Sequence, residues 1–450
     1  MKSSQYIRVW VFSFIYSILT GLLIQLVVLR YIFPQWNAGD GMLIGLDSSY
    51  YNGIALSLSE QMRLHGWAAW QLFPNKQVVS GISAIFYYLI APKPWSVLPL
   101  HAFLNASACT ALFYVLTMIA GEQKYLSLAI LPFLLFPSAL QWNAQLNNDV
   151  YSVPGVIFFI TGWAGLFAFQ TAGWKKNGLH LGLMAAGFGL VYLTRPYLGL
   201  PFIVLNVVLF AAYAVTWLPG LLKSFRENRA GLVWLLLLGL LMAGMLPLSQ
   251  KGLLKGAGWE KRAASCTSAS LEPQCHWQVS KWLPGGLDYQ LKRLSMSRYM
   301  NTLEWQHGSS NLDTQVVFYN AADLIEYLPR ALQISIFAPF PDAWFGSGSL
   351  ASATLMRRVA GVEMLVVYVS MAGLLPGFYY FRSKRAFFVA ILICGAFLLL
   401  YGLVVPNIGT IYRFRFPFLM SLVTVGMASW LHLFWMVRAR AGNAPAKPGS

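Results

Sequence analysis

Four short stretches of this sequence carry the residue types that acid–base or anion chemistry needs. In LDSSYYNGIA, Asp47 stands ahead of an amphipathic run in which Ile54, Leu58 and Met62 recur at four-residue spacing. That period predicts a helix, with Ser48 or Ser49 as candidate caps. Asp47 itself has two readings. One is an N-cap or first-turn acid beside a helix N-terminus. The other is a general base held at a membrane surface by the helix behind it. In FPSALQWNAQLNNDVYSVPG, Asn143, Gln145, Asn147, Asn148 and Asp149 crowd into one polar loop. They either cap the following helix or face the same outer cavity as Asp47. Two carboxylates on separate loops suit acid–base work or a divalent cation, Mg or Mn.

The other two stretches are basic. Arg195 lies in YLTRPYLGLP, between two apolar runs. An arginine there either snorkels to an interface at a tight turn or faces a cavity or partner. Arg413 and Arg415 lie in IYRFRFPF. Their spacing faces them apart on a helix and together on an extended segment. A guanidinium fork suits phosphate, so Arg195, Arg413 and Arg415 are candidate ligands for a lipid phosphate.

These residues must be positioned by a helical membrane scaffold. Of 450 residues, 57% are apolar by the AVILMFWYC count and only 10% are charged, against about 25% charged in a soluble domain. Mean hydropathy is +0.57. So few charges cannot cover a water-facing surface, which leaves a polytopic all-α membrane protein. Apolar runs near 9–33, 98–120, 125–141, 150–170, 179–194, 197–216, 231–248, 359–381, 386–404 and 416–436 predict ten spans, the first a retained signal anchor. The run at 79–91 reads as a re-entrant or interfacial helix, or part of an extra span.

The net charge of +17 is largely a matter of topology. With the N-terminus inside, the cytoplasmic segments hold Lys124, Lys175, Lys176, Arg382, Lys384 and Arg385 among other basic residues, against only Glu122 and Glu227. This fits the positive-inside rule with both termini in the cytoplasm, and nucleic acid is not an expected partner. The chain then reads as three consecutive parts. Residues 1–250 form a transmembrane catalytic module with a first outer loop, 34–97. Residues 251–358 form a larger outer subdomain, and 359–450 hold the last spans and a small polar tail. Cys266 and Cys275 lie close together in the outer subdomain, on the oxidising side, and are expected to pair. There is no P-loop, GxGxxG, HExxH, CxxC pair or GxSxG. Polar residues inside the spans are sparse, which disfavours an ion-coupled transporter.

The order of these pieces resembles the GT-C superfamily of membrane glycosyltransferases, which take sugars from polyprenyl-phosphate donors. The chain is similar to the group that includes lipid A aminoarabinose transferases and protein mannosyltransferases. The similarity rests on LDSSYYNGIA after the first span, LNASACTALFYVLTMIAG as the second, then FPSALQWNAQLNND, LTRP and YRFRFPF before the last span. The resemblance implies a GT-C-like fold with interfacial helices in the first outer loop, Asp47 as catalytic base and Asp149 as second acid. Many members carry an adjacent acidic pair where this chain has Asp47 followed by Ser48. It further implies a glycan, lipid or protein acceptor, and a bacterial inner membrane with the site facing the periplasm. Two rivals stand beside it: a polymerase or ligase of lipid-linked polysaccharide, and a transporter or flippase of lipid-linked sugars.

Overall fold

A computed structural model describes residues 3–44, 47–169, 174–223, 229–254, 272–304, 306, 308, 310–348 and 351–442. The described chain is helical, without strands. In chain order the helices are α1 (Ser3–Leu23), extended by a wider-wound stretch Ile24–Ile32, α2 (Ser48–His65), α3 (Val78–Leu89), α4 (Leu98–Ala120), α5 (Leu126–Ala129), α6 (Leu131–Leu135), α7 (Pro137–Asn143), α8 (Asp149–Ala168) and α9 (Trp174–Thr194). There follow α10 (Gly199–Lys223), α11 (Arg229–Leu254), α12 (Pro273–His276), α13 (Gly285–Glu304), α14 (Ala321–Phe337), α15 (Ala351–Tyr380), α16 (Arg385–Val404), α17 (Ile408–Phe414) and α18 (Phe416–Gly442).

Seven of the described helices are long and apolar enough to cross a membrane: Ser4–Ile32, Pro94–Ala120, Asp149–Ala168, Pro196–Leu218, Thr354–Tyr380, Arg385–Val404 and Phe416–Arg438. The protein is thus a multi-pass helical membrane protein. A 20-residue helix such as α8 is about 30 Å long, the thickness of the hydrocarbon layer. Three expected spans fall outside the seven. The apolar run at 125–141 is broken into α5, α6 and α7, because Pro132 and Pro137 each open a new helix and cannot continue the one before. Helix α9 has the length, but Lys175, Lys176 and His180 dilute its first half. In α11 the described apolar stretch is Val233–Leu246. Helix α3, with 12 residues, is about 18 Å long and too short to span.

The chain divides into two compact units that are not consecutive in sequence. The first comprises Met1–Thr194, Leu365–Ile391 and Met420–Ser450, and the second Arg195–Met364 and Leu392–Leu419. The three parts expected from the sequence follow chain order, whereas compactness regroups the helices by packing.

In the first unit α8 is the central helix, with 94% of its apolar window buried. It packs on α4 and α9. Backbone approach to α9 depends on small residues. A Cβ on Gly162 would stand 2.6 Å from the His180 carbonyl oxygen, so only glycine allows this spacing.

In the second unit α13 and α14 share a small core with the end of α16. Phe318, Leu324, Ala331 and Leu403 pack with Trp277, Leu291 and Tyr327. Helix α14 starts with a complete capping box formed by Asn320 and Asp323. Arg298, on α13, is 2% exposed. Its Nε donates to the Val316 carbonyl at 3.2 Å, Nη1 to Gly402 and Leu403 at 3.4 and 3.1 Å, and Nη2 to Asp313 at 2.9 Å. Asn301, one turn on, donates to the Val404 carbonyl at 3.1 Å. The last carbonyls of α16, which no residue of that helix can satisfy, are therefore closed by α13.

Asp313 adopts a left-handed backbone (φ 51). Its carboxylate accepts from Arg330 Nε at 2.9 Å and Nη2 at 3.2 Å, and from the Tyr327 hydroxyl at 2.8 Å. The Arg330 bonds, aided by Tyr327, hold the Asp313 carboxyl below the usual range, while burial pushes the Tyr327 phenol up to about 12. A depressed carboxyl stabilises the fold above its unfolded value of about 3.9. That contribution disappears as pH falls through the lower folded value. Thermal unfolding of the purified protein should therefore lose stability below about pH 4, and Asp313→Asn should remove part of that acid dependence. Identical acid profiles for the two proteins would show that the pair does not contribute.

Candidate functional site

The first unit brings the two loops that carry Asp47 and Asp149 together through side-chain amides. Gln145 is fully buried. Its Oε1 accepts from the Leu43 amide at 2.9 Å and its Nε2 donates to the Gly41 carbonyl at 3.0 Å, so it pairs with the loop backbone much as a neighbouring strand would. Gln25, in the wider-wound stretch that follows α1, donates to the Ala144 carbonyl at 2.6 Å. Gly41 sits against Gln25 with φ +79, and a Cβ there would lie 2.7 Å from the Gln25 carbonyl oxygen. No other residue fits this contact without strain. Asn148 Nδ2 donates to the Tyr51 hydroxyl at 3.2 Å, one turn into α2 from Asp47. Behind it, the Ser80 hydroxyl donates to the Tyr51 carbonyl at 3.0 Å and the Tyr87 hydroxyl to Asn52 Oδ1 at 2.6 Å. These bonds fix α2 on α3, with Tyr51, Ala55, Leu58 and Met62 as the buried stripe. Ile54, expected on that stripe, is only partly buried.

Asp47 and Asp149 differ in setting. Asp47 is exposed and occupies the N-cap position of α2, but its side chain makes no capping hydrogen bond. Asp149 is 2% exposed in the first turn of α8, where the helix N-terminus favours a negative charge. The capping role in that loop belongs to Asn147, whose Oδ1 accepts from the amides of Asp149 at 2.8 Å and Val150 at 3.2 Å. Among the described residues no three of His, Cys, Asp or Glu come together to hold a metal. With Asn147 Oδ1 already committed to backbone, the donors beside Asp149 make a thin set for Mg or Mn, which take about six oxygens.

The three candidate arginines lie in the second unit. Arg195 is 4% exposed. It follows the last residue of α9, donates from Nη1 to the Tyr197 hydroxyl at 3.0 Å, and stacks its guanidinium 4.0 Å above the Phe414 ring. Arg413 is half-buried near the end of α17. Arg415 is fully buried, with Nη1 donating to the carbonyls of Ser335 at 2.8 Å and Ile334 at 3.3 Å, and Nη2 lying 3.3 Å from the Met364 sulfur. The backbone from 408 to 415 is helical, so residues two apart leave it about 200° apart. Of the two alternatives open for Arg413 and Arg415, the helical one holds, and the two side chains face apart. Arg415 ties the start of α18 to the last turn of α14, and Arg195 lies over Phe414, the residue after Arg413.

One residue went unremarked in the sequence. Glu363 lies in the span Thr354–Tyr380, is 3% exposed, and accepts a hydrogen bond from the Tyr412 hydroxyl. An acid inside an apolar run was the signal available. The pairing of Cys266 with Cys275 falls on Cys266, outside the described residues. No family model, curated protein or solved structure matches the chain.

Proposed function

We propose that the chain is an integral membrane glycosyltransferase of GT-C type, moving a sugar from a polyprenyl-phosphate donor to an extracytoplasmic acceptor. The observation that carries this reading is the joining of the two acidic loops by Gln145 and by Asn148 to Tyr51, with Asp47 exposed and not used as a cap. In the first unit Asp47 takes the proton of the acceptor hydroxyl. The acceptor oxygen attacks the anomeric carbon, and the bond from that carbon to the phosphate oxygen breaks with inversion. Asp149, buried in the first turn of α8, is the second acid of the proposed site. Arg195 and Arg413, in the second unit, are proposed as ligands for a lipid phosphate, an electrostatic role worth several kcal/mol where water is excluded. Arg415 holds the helix that carries Arg413.

The reading includes ten spans, with α5 to α7, α9 and α11 completing the seven, and both termini inside. Every candidate residue then stands at the outer, periplasmic end of its span. Single cysteines at Gly286 and Ser383, both exposed, should label with a membrane-impermeant maleimide from outside and inside respectively. The reverse pattern would overturn the orientation. In the same outer compartment Cys266 and Cys275 should resist alkylation until reduced; free labelling of both in native protein would rule out the bridge.

The deciding experiment incubates the protein in liposomes with a panel of polyprenyl-phosphate sugars and analyses the products. Release of polyprenyl phosphate with transfer of the sugar is expected. Turnover only with diphosphate-linked glycans would favour the ligase reading. That rival depends on an arginine-rich outer loop, and Arg298 and Arg330 there are engaged with backbone carbonyls and Asp313.

A further inference from the structure

Helix α17 is held along one face. At its start, Asn407 Oδ1 accepts from the Thr410 amide at 3.0 Å, and Asn407 Nδ2 donates to Asn311 Oδ1 at 2.9 Å. Along its length, the Tyr412 hydroxyl donates to the Glu363 carboxylate. At its end, Arg415 reaches the carbonyls of α14 and stacks 5.0 Å from the Tyr412 ring. Tyr412 and Arg415 are three apart and share a face. At about 100° per residue, Arg413 and Phe414 each point about 130° away from the middle of that face, on opposite flanks. Phe414 carries the Arg195 guanidinium. The rotation of α17 about its own axis therefore decides where Arg413 points relative to Arg195, and Tyr412 is the side chain that fixes this rotation in mid-helix. Its acceptor is a carboxylate within a membrane span, a group that is costly to place there and that accepts more strongly than a neutral oxygen.

We propose that Glu363 is a positioning residue: by accepting the Tyr412 hydroxyl it sets the rotation of α17 and so aims Arg413 at the phosphate of the lipid donor. The inference rests on the donor reading above. It assigns Glu363 the geometry of an acceptor, not the transfer of a proton.

The test measures binding of undecaprenyl phosphate to the purified full chain in nanodiscs, with inorganic phosphate as competitor to separate a lipid site from a simple anion site. Tyr412→Phe and Glu363→Ala should each weaken binding about 10-fold, the loss expected for one charge-assisted hydrogen bond. Glu363→Gln, whose amide oxygen still accepts from Tyr412, should stay within about 3-fold of wild type. Arg413→Ala should weaken binding by itself, and adding Tyr412→Phe to it should cost nothing further, because the two act through one group. A purely structural role would instead give losses that add. Additive losses, or Glu363→Gln binding as weakly as Glu363→Ala, would overturn the inference while leaving the donor reading in place. Wild-type protein that binds no undecaprenyl phosphate, or whose binding inorganic phosphate abolishes at equal concentration, would remove the donor reading and the inference with it.

Discussion

Asp47→Asn should fold normally, bind the lipid donor and turn over about 10²–10⁴-fold more slowly, the usual loss when a general base is removed. The substitution keeps size and most hydrogen bonding but cannot accept a proton from the acceptor hydroxyl. The capping alternative makes a different forecast, since asparagine caps a helix about as well as aspartate. The structure sharpens the contrast, because the Asp47 side chain makes no capping bond to α2. Loss of a cap on α2 is therefore not what a slower rate would report. Thermal unfolding, donor binding and initial rates on one preparation separate these outcomes. Near-normal turnover would return Asp47 to a local structural role and move the catalytic assignment to Asp149.

Arg298→Ala should be the most destabilising substitution in the segment 272–348, by about 3–5 kcal/mol. The guanidinium reaches carbonyls of Val316, Gly402, Leu403 and Asp313 and lies 4.9 Å from the Tyr327 ring centre. Truncation leaves several buried acceptors open, each costing about 1–3 kcal/mol. Arg298→Lys keeps the charge but replaces a planar five-donor group by a point charge, so it should recover only part of the loss. Unfolding midpoints of the three proteins measure this directly. An alanine variant as stable as wild type would mean that water or rearranged side chains satisfy those carbonyls.

What the sequence revealed, and what it concealed, follows from the range of each interaction. Composition and hydropathy act over a window of about twenty residues, and they located the seven spans. The same window is blind to Pro132 and Pro137, which break 125–141 without making it less apolar. The helical period of α2 was readable, but the buried stripe is turned toward Tyr51 and Ala55 by bonds to Ser80 and Asn148, which come from other segments. Asp47 and Asp149 were recognisable as acids on short polar loops. That Gln145 would clamp those loops together was not, because its partners Gly41 and Leu43 lie more than 100 residues away. Arg415 shows the same limit. Its residue type suggested phosphate, whereas its partners, the Ile334 and Ser335 carbonyls, are 80 or so positions earlier and leave no local trace.

The closure of α16 by α13 also has a meaning in time. Arg298 and Asn301 precede the carbonyls they satisfy by 103 to 105 positions. At roughly 5–20 residues per second of synthesis, they leave the ribosome about 5–20 seconds before Gly402, Leu403 and Val404. That interval is long beside the microseconds in which a helix forms. The nascent C-terminal end of α16 thus meets donors that already exist, and its open carbonyls need not wait for any later segment. A chain in which α13 failed to fold would leave the carbonyls of Gly402, Leu403 and Val404 without these donors.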